Sequence, residues 1–317
     1  MLQSFTITLV QMLRLFALIA LGFLFNKARV VPKATEEVLS KLTVVLFAPM
    51  LTLYTFIMQC TVENLSQNFS YVLYGGALLI FGTLISYPLC RIFTDDSYQR
   101  GIYRYAIAMP NTGAFCTPLV LAFFGVPGNF LKSLFLFTQT VLTYTWGTMQ
   151  MQPQSRRVNF VGYLIKFIEP NFIALVCGIV LGLCNGAQWI PQIVLDNISF
   201  FGDCYVPFSL IVVGYCVADF PFEDIMPRFK TVLFTVIRML VFPVSYMFIM
   251  ILVKAPAMAV ILTALSFSSP CGMNTVVFPV AYGQDCREGA SLVVFTSLLA
   301  VPLIPLLYAV ATRLVGA

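Results

Sequence analysis

Two short polar interruptions in apolar segments are the part of this sequence best suited to chemistry. Residues 106–125 read AIAMPNTGAFCTPLVLAFFG, and residues 265–283 read LSFSSPCGMNTVVFPVAYG. Backbone that leaves a helix at membrane depth persists only where it is buried in protein or lines a polar cavity. A matched pair of such interruptions, one in each half of a chain, is typical of the substrate site of a secondary transporter. The alternative is a pair of kinked packing helices, because Gly and Pro are common in membrane helices.

The candidate substrate-binding residues all lie at these interruptions. They are Pro110, Asn111, Thr112 and Gly113 in the first, and Pro270, Cys271, Gly272, Asn274 and Thr275 in the second. Asn and Thr are good N-caps, so each Asn-Thr pair can begin a new half-helix. The free N–H groups and positive dipole end of such a half-helix suit an anion. We expect both asparagines to cap these half-helices and to contact the substrate, and capping without substrate contact is the alternative.

Arg14 is a further candidate, together with Gln11 one helical turn before it. It lies about halfway through the first apolar segment, where a cation costs at least ~2.5–3.5 kcal/mol on the translocon scale and normally needs a partner. A carboxylate substrate could be that partner. A structural pairing with helix carbonyls, or snorkelling towards the membrane surface, explains the residue equally well.

Other chemistries have little support in the sequence. There is no histidine, the nine cysteines form no CxxC pair, and no carboxylate lies at the centre of an apolar segment. We therefore predict no metal site, no cofactor and no enzymatic activity. Coupling of transport to protons, to sodium or to the membrane potential stays open.

The composition requires a membrane as solvent, because the 317 residues are 60% hydrophobic and only 10% charged. A membrane-spanning helix needs ~20 mostly apolar residues. Ten segments satisfy this condition: 5–25, 38–58, 69–92, 102–124, 130–149, 160–183, 200–218, 230–253, 257–282 and 289–313.

The distribution of positive charge predicts the orientation of these segments, since cytoplasmic loops carry an excess of Lys and Arg. The odd-numbered loops contain Lys27, Arg29, Lys33, Arg91, Arg100, Arg104, Arg156, Arg157, Lys166, Arg228, Lys230 and Arg287. The opposite side contains only Lys132, Lys254 and Arg313. We therefore expect both termini to lie outside the cell.

The two halves of the chain, residues 1–150 and 160–317, align as an internal repeat. Gly22, Pro32 and Pro49 in the first half correspond in order to Gly182, Pro191 and Pro207 in the second. Each half holds five predicted spans, an odd number, so the second half must enter the membrane in the opposite sense. The expected fold is an all-α membrane protein of ten helices in two inverted repeats of five.

Several motifs together resemble the auxin efflux carrier family. They are ALGFLFNKARVV, LSKLTVVLFAPML, MPNTGAF and SSPCGMNTVVFPVAYGQD. The family includes plant PIN carriers and bacterial permeases associated with malate or malonate. The link between the fifth and sixth spans is only about ten residues, so this chain resembles the compact bacterial members.

The resemblance implies ten helices, of which the fourth and ninth are broken and cross each other. It implies a scaffold of helices 1, 2, 6 and 7 within residues 1–60 and 160–220. The moving bundle would consist of helices 3–5 and 8–10 within 69–150 and 229–317. It also implies a homodimer formed through the scaffold helices, in a bacterial plasma membrane.

The predicted function is secondary transport of a small organic anion, a mono- or dicarboxylate such as malate or malonate, by elevator-type alternating access. The expected partners are that anion and the lipid bilayer, with no nucleic acid. The alternative is a membrane sensor of the same fold that binds its ligand without translocating it.

Overall fold

The fold was analysed in a computed structural model, which describes residues 2–32, 34–151, 169–219, 229–281 and 283–316. In these ranges the regular structure is helical, and β pairing is confined to one isolated bridge between Pro110 and Cys271. The prediction of an all-helical protein is therefore confirmed for the described part of the chain.

The helices are numbered in chain order. They are α1 (Leu2–Lys27), α2 (Ala34–Leu42), α3 (Ala48–Gln59), α4 (Val62–Asn68), α5 (Ser70–Phe93), α6 (Ser97–Ala108), α7 (Thr117–Phe135), α8 (Phe137–Leu142), α9 (Thr148–Met151), α10 (Pro170–Leu183), α11 (Gly186–Trp189), α12 (Gln192–Asp203), α13 (Tyr205–Asp219), α14 (Phe229–Val236), α15 (Phe242–Leu252), α16 (Ala257–Phe267), α17 (Asn274–Ala281) and α18 (Arg287–Val315). Five-residue π-helical turns occur at Thr43–Phe47, Thr112–Cys116, Thr143–Gly147 and Ile237–Val241.

Among the residues that the structure describes, six helical stretches are long and apolar enough to cross a membrane. They are Glu37–Gln59, Ser70–Phe93, Thr112–Phe135, Gln192–Tyr215, Phe229–Leu252 and Arg287–Val315. Two shorter apolar helices, Pro170–Leu183 and Ala257–Phe267, accompany them. The protein is therefore a multi-pass membrane protein.

Some boundaries differ from the predicted segments for local reasons. The seventh segment was expected to begin at residue 200, but the helix begins at Gln192 because Pro191 stands immediately before its first turn. The fourth and fifth segments were expected to be joined by residues 125–129, whereas only Gly125 leaves the helical conformation, with φ 61° and ψ −156°. Glycine adopts positive φ without the steric cost of a Cβ atom, so a single residue suffices for this bend.

Part of the sequence prediction falls outside the described ranges. This applies to residues 160–168 of the sixth segment and to the predicted cytoplasmic cations Lys33, Arg156, Arg157, Lys166 and Arg228.

The chain divides into two compact units. Unit 1 comprises Met1–Phe69, Thr117–Ser133 and Leu164–Phe220, and unit 2 comprises Ser70–Cys116, Leu134–Tyr163 and Pro221–Ala317. Both units are discontinuous in sequence.

Glycines allow the helices of unit 1 to approach closely. A methyl carbon in place of the Gly22 hydrogen in α1 would lie 2.1 Å from the Ile211 carbonyl oxygen in α13. The corresponding distance from Gly182 in α10 to the Phe56 carbonyl oxygen in α3 is 2.4 Å. Both distances are shorter than any real carbon–oxygen contact, so the α1–α13 and α10–α3 contacts require glycine.

Unit 2 contains an aromatic cluster next to the helices that carry the interruptions. Phe93, Tyr103 and Phe234 have ring centroids 5.2–5.4 Å apart, and all three side chains are buried. Edge-to-face and stacked pairs of this kind stabilise a core beyond the burial of their apolar area. The cluster joins α5, α6 and α14.

Candidate functional site

The first break separates α6 from the π-helical turn at Thr112–Cys116. Pro110 has no N–H to donate, and a residue before proline is disfavoured in helical geometry. Met109 accordingly adopts extended backbone angles, φ −111° and ψ 103°. The helix therefore ends at Ala108, within two residues of the proline.

The second break lies between the end of α16 at Phe267 and the start of α17 at Asn274. The hydroxyls of Ser268 and Ser269 donate to carbonyls one turn earlier, at Ala264 (2.5 Å) and Leu265 (2.9 Å). Ser and Thr side chains compete with backbone N–H groups in this way. They satisfy carbonyl groups where the helix ends.

The two breaks pair with each other through their backbones. The Asn111 N–H donates to the Pro270 carbonyl at 2.7 Å, and the Gly272 N–H donates to the Met109 carbonyl at 3.0 Å. These two bonds form the antiparallel bridge between Pro110 and Cys271. Each break thus supplies hydrogen-bond partners for backbone groups that the other has released from its helix, as apolar surroundings require.

One polar side chain from a later helix supports each break. Gln139 donates its side-chain N–H to the Pro110 carbonyl at 2.7 Å and accepts from the Thr112 hydroxyl at 3.3 Å. Thr296 accepts a hydrogen bond from the Cys271 N–H at 3.1 Å. Cys271 and Thr296 are fully buried, so this N–H has no access to water.

The two predicted asparagines are held differently. The Asn274 amide nitrogen donates to the Tyr105 hydroxyl at 2.8 Å, and the Tyr105 ring stacks on Trp146 with 6.4 Å between centroids. The Asn111 side chain is half-buried and forms no hydrogen bond within the described ranges. The expected cap bond from Asn274 to the start of α17 is likewise not seen there.

Three further predicted site residues, Thr275, Gly113 and Gly272, lie at the two breaks. The Thr275 hydroxyl donates to the Gly272 carbonyl at 2.9 Å, and Gly113 is exposed in the π-helical turn. Gly272 allows close packing, because an added methyl carbon would lie 3.0 Å from the Tyr105 ring.

Arg14 and Gln11 lie in α1, which belongs to unit 1. The Arg14 side chain is exposed in the isolated chain. Their participation in the site stays a prediction.

Arg238 is the residue that the sequence analysis missed. It lies in the π-helical turn at Ile237–Val241 and is only 1% exposed. Its Nε donates to the Ala106 carbonyl at 3.0 Å, and its Nη1 donates to the Phe267 carbonyl at 2.6 Å. A signal was available, because a charged residue inside an apolar segment is costly and marks a functional position.

The site is therefore built from backbone ends, neutral amides and hydroxyls, with one buried cation nearby. The described hydrogen bonds of the two breaks involve no carboxylate. Such a site can donate hydrogen bonds to an anion and offers it positive helix ends.

Comparison with known families agrees with this architecture. The profile of the membrane transport protein family matches residues 7–308. Because this range covers nearly the whole chain, the protein belongs to that family, and the predicted resemblance to auxin efflux carriers is confirmed. A search of individual curated proteins gave no match.

Proposed function

We propose that this membrane transporter is a secondary carrier of small organic anions, with a mono- or dicarboxylate such as malate or malonate as substrate. The observation that carries the proposal is the backbone pairing of the two breaks, Asn111 N–H to Pro270 and Gly272 N–H to Met109. This pairing brings the two breaks and their two asparagines into one region of unit 2. Discontinuous helices with these features bind anionic substrate groups in other secondary transporters.

The proposed topology is ten helices in two inverted repeats. Gly22 and Gly182, which correspond in the sequence repeat, both pack against a carbonyl of another helix in unit 1. In an inverted repeat α1 is equivalent to α10 and α13 is equivalent to α3. The α1–α13 and α10–α3 contacts would then be related by the symmetry of the repeat. The glycines that follow the breaks, Gly125 and Gly283, also share a positive φ, 61° and 66°.

The proposed mechanism is elevator-type alternating access in the plasma membrane of a bacterium. The moving bundle, residues 69–150 and 229–317, contains both breaks and would carry the substrate. Helices 1, 2, 6 and 7, within residues 1–60 and 160–220, would serve as scaffold and homodimer contact. We propose no cofactor and no enzymatic activity. Both termini would lie outside the cell, as the distribution of positive charge predicts.

The topology can be tested by labelling single cysteines in a variant without native cysteines. A cysteine between residues 152 and 158 is expected to react only from the cytoplasm, and one in α4 only from outside. Labelling of both from one side would contradict the inverted repeat, because three predicted spans separate the two positions.

The function is tested by counterflow in proteoliposomes. Vesicles are loaded with unlabelled malate, malonate or a monocarboxylate, and uptake of the same labelled acid is followed. Transport predicts a transient accumulation of label that saturates with concentration. A sensor would bind the acid, which a thermal-shift assay detects as a higher melting temperature, yet would show no counterflow.

The matched control for this assay is Asn111→Ala in the same vesicles. Because the Asn111 side chain forms no hydrogen bond within the described ranges, the variant should fold normally while losing carboxylate counterflow. Equal counterflow in both proteins would remove Asn111 from the substrate site.

A further inference from the structure

Arg238 connects the two broken helices at their C-terminal ends. Its two hydrogen bonds go to Ala106 in the last turn of α6 and to Phe267, the last residue of α16. Both acceptors come directly before a break. One guanidinium therefore contacts both helix ends within unit 2.

The breaks themselves explain why these two carbonyls need an external donor. In a continuous helix the carbonyl of residue 106 would accept from the N–H of residue 110, which is Pro110 and has none. The carbonyl of residue 267 would accept from Cys271, whose N–H donates to Thr296 instead. Arg238 supplies both missing hydrogen bonds.

The same two carbonyls are the negative ends of their helix dipoles, where a cation is stabilising. In transporters with discontinuous helices, such carbonyl ends commonly coordinate a coupling sodium ion. Here the positive charge belongs to the protein, because a guanidinium remains protonated in proteins. Its third nitrogen, Nη2, is buried and has no hydrogen-bond partner in the described ranges.

We propose that Arg238 is a positioning residue for the substrate site, which holds the two breaks together and occupies the place of a coupling cation at their carbonyl ends. The inference rests on the proposed transport function. It specifies that substrate transport does not require sodium. It also specifies that Asn111 and Asn274 depend on Arg238 for their relative placement.

The test compares Arg238→Gln and Arg238→Lys with a control of matched stability. Phe234→Leu is the control, because Phe234 lies one turn earlier, is 1% exposed and packs only on Phe93 and Tyr103 among the ring contacts described. Each protein is assayed for melting temperature, for the dissociation constant of whichever carboxylate the wild type exchanges, and for counterflow in sodium and in choline.

We expect wild-type counterflow to be equal in sodium and choline. Arg238→Gln should raise the dissociation constant by about tenfold or more, because the two breaks lose the buried charged donor that fixes their relative placement. Arg238→Lys should recover part of this loss, because lysine keeps the charge but not the planar fork. Phe234→Leu should lower the melting temperature without changing the dissociation constant.

Three results would overturn the proposal. The first is a sodium requirement for counterflow in the wild type. The second is a dissociation constant for Arg238→Gln equal to that of Phe234→Leu when the two variants have similar melting temperatures. If Arg238→Gln does not fold, the third is a dissociation constant for Arg238→Lys equal to that of the wild type. Absence of counterflow in the wild type with every carboxylate would instead refute the proposed transport function.

Discussion

The two breaks are related in sequence but are stabilised in different ways. At the first break, the Gln139 side chain donates a hydrogen bond to the Pro110 carbonyl, and the Asn111 side chain has no hydrogen bond within the described ranges. At the second break, the Thr296 hydroxyl accepts a hydrogen bond from the Cys271 N–H, and the Asn274 amide donates one to the Tyr105 hydroxyl. The second break is therefore the more constrained of the two.

This difference suggests a division of roles within one site. An amide without an internal partner can turn towards a substrate, whereas an amide fixed by a buried tyrosine presents its oxygen in one orientation. Asn111 would then adapt to the substrate and Asn274 would define its position. The two asparagines should consequently respond differently to the same substitution.

The largest expected effect concerns the supports of the breaks. Thr296→Val keeps the shape of the side chain but leaves the Cys271 N–H buried without a partner, so we expect a stability loss of about 3 kcal/mol. Gln139→Leu leaves a carbonyl unsatisfied, which proteins tolerate more readily than an unsatisfied N–H, and we expect about 1 kcal/mol. Thermal unfolding in detergent measures both variants. Equal losses would mean that the second break is not the more constrained one.

The asparagines provide the next test. Asn111→Ala should weaken carboxylate binding by one to two decades, equivalent to about 1–3 kcal/mol, without lowering the melting temperature. Asn274→Ala should weaken binding and also lower the melting temperature, because the Tyr105 hydroxyl loses its donor. Tyr105→Phe serves as the control, since it frees the Asn274 amide while leaving that residue in place. Wild-type affinity in both alanine variants would leave the asparagines without a role in binding.

The sequence was sufficient to locate the breaks but not to explain how they are held. Pro110 and Pro270 interrupt helices for local reasons, so their positions follow from residue type. The pairing of Asn111 with Pro270 joins residues more than 150 positions apart, and no local pattern specifies it. Arg238 likewise lies within an apolar segment and bonds to the carbonyls of two distant helices, a placement that no local sequence pattern specifies.

Arg14 and Arg238 are both cations within apolar segments. The two differ in the structure, since Arg14 is exposed in the isolated chain and Arg238 is buried. Arg14→Gln should therefore change the free energy of unfolding by no more than about 0.5 kcal/mol, while reducing dicarboxylate affinity if the guanidinium contacts the substrate. Arg14→Lys should retain part of that affinity. Unchanged affinity in Arg14→Gln would assign the anion site to the breaks alone.

The smallest expected effect lies just beyond the second break, at the AYGQD sequence. Asp285 accepts hydrogen bonds from the Arg287 side chain and backbone, which lower the pKa of its carboxyl from an ordinary value of 3.8 to about 2. A lowered pKa stabilises the folded state above the ordinary value, and this contribution disappears only as the pH falls through about 2. Between about pH 5 and 8 the carboxylate is fully ionised in both states, so Asp285→Asn should leave the pH dependence of the melting temperature unchanged.

The Asp285–Arg287 pair is fully exposed to water, and screening keeps its effect on stability small. The measurement is a series of melting curves for wild type and variant across this pH range. If melting temperature depended on pH differently in the variant and the wild type, Asp285 would titrate near neutral pH. Asp285 would then be one of the groups that make the second break more constrained than the first.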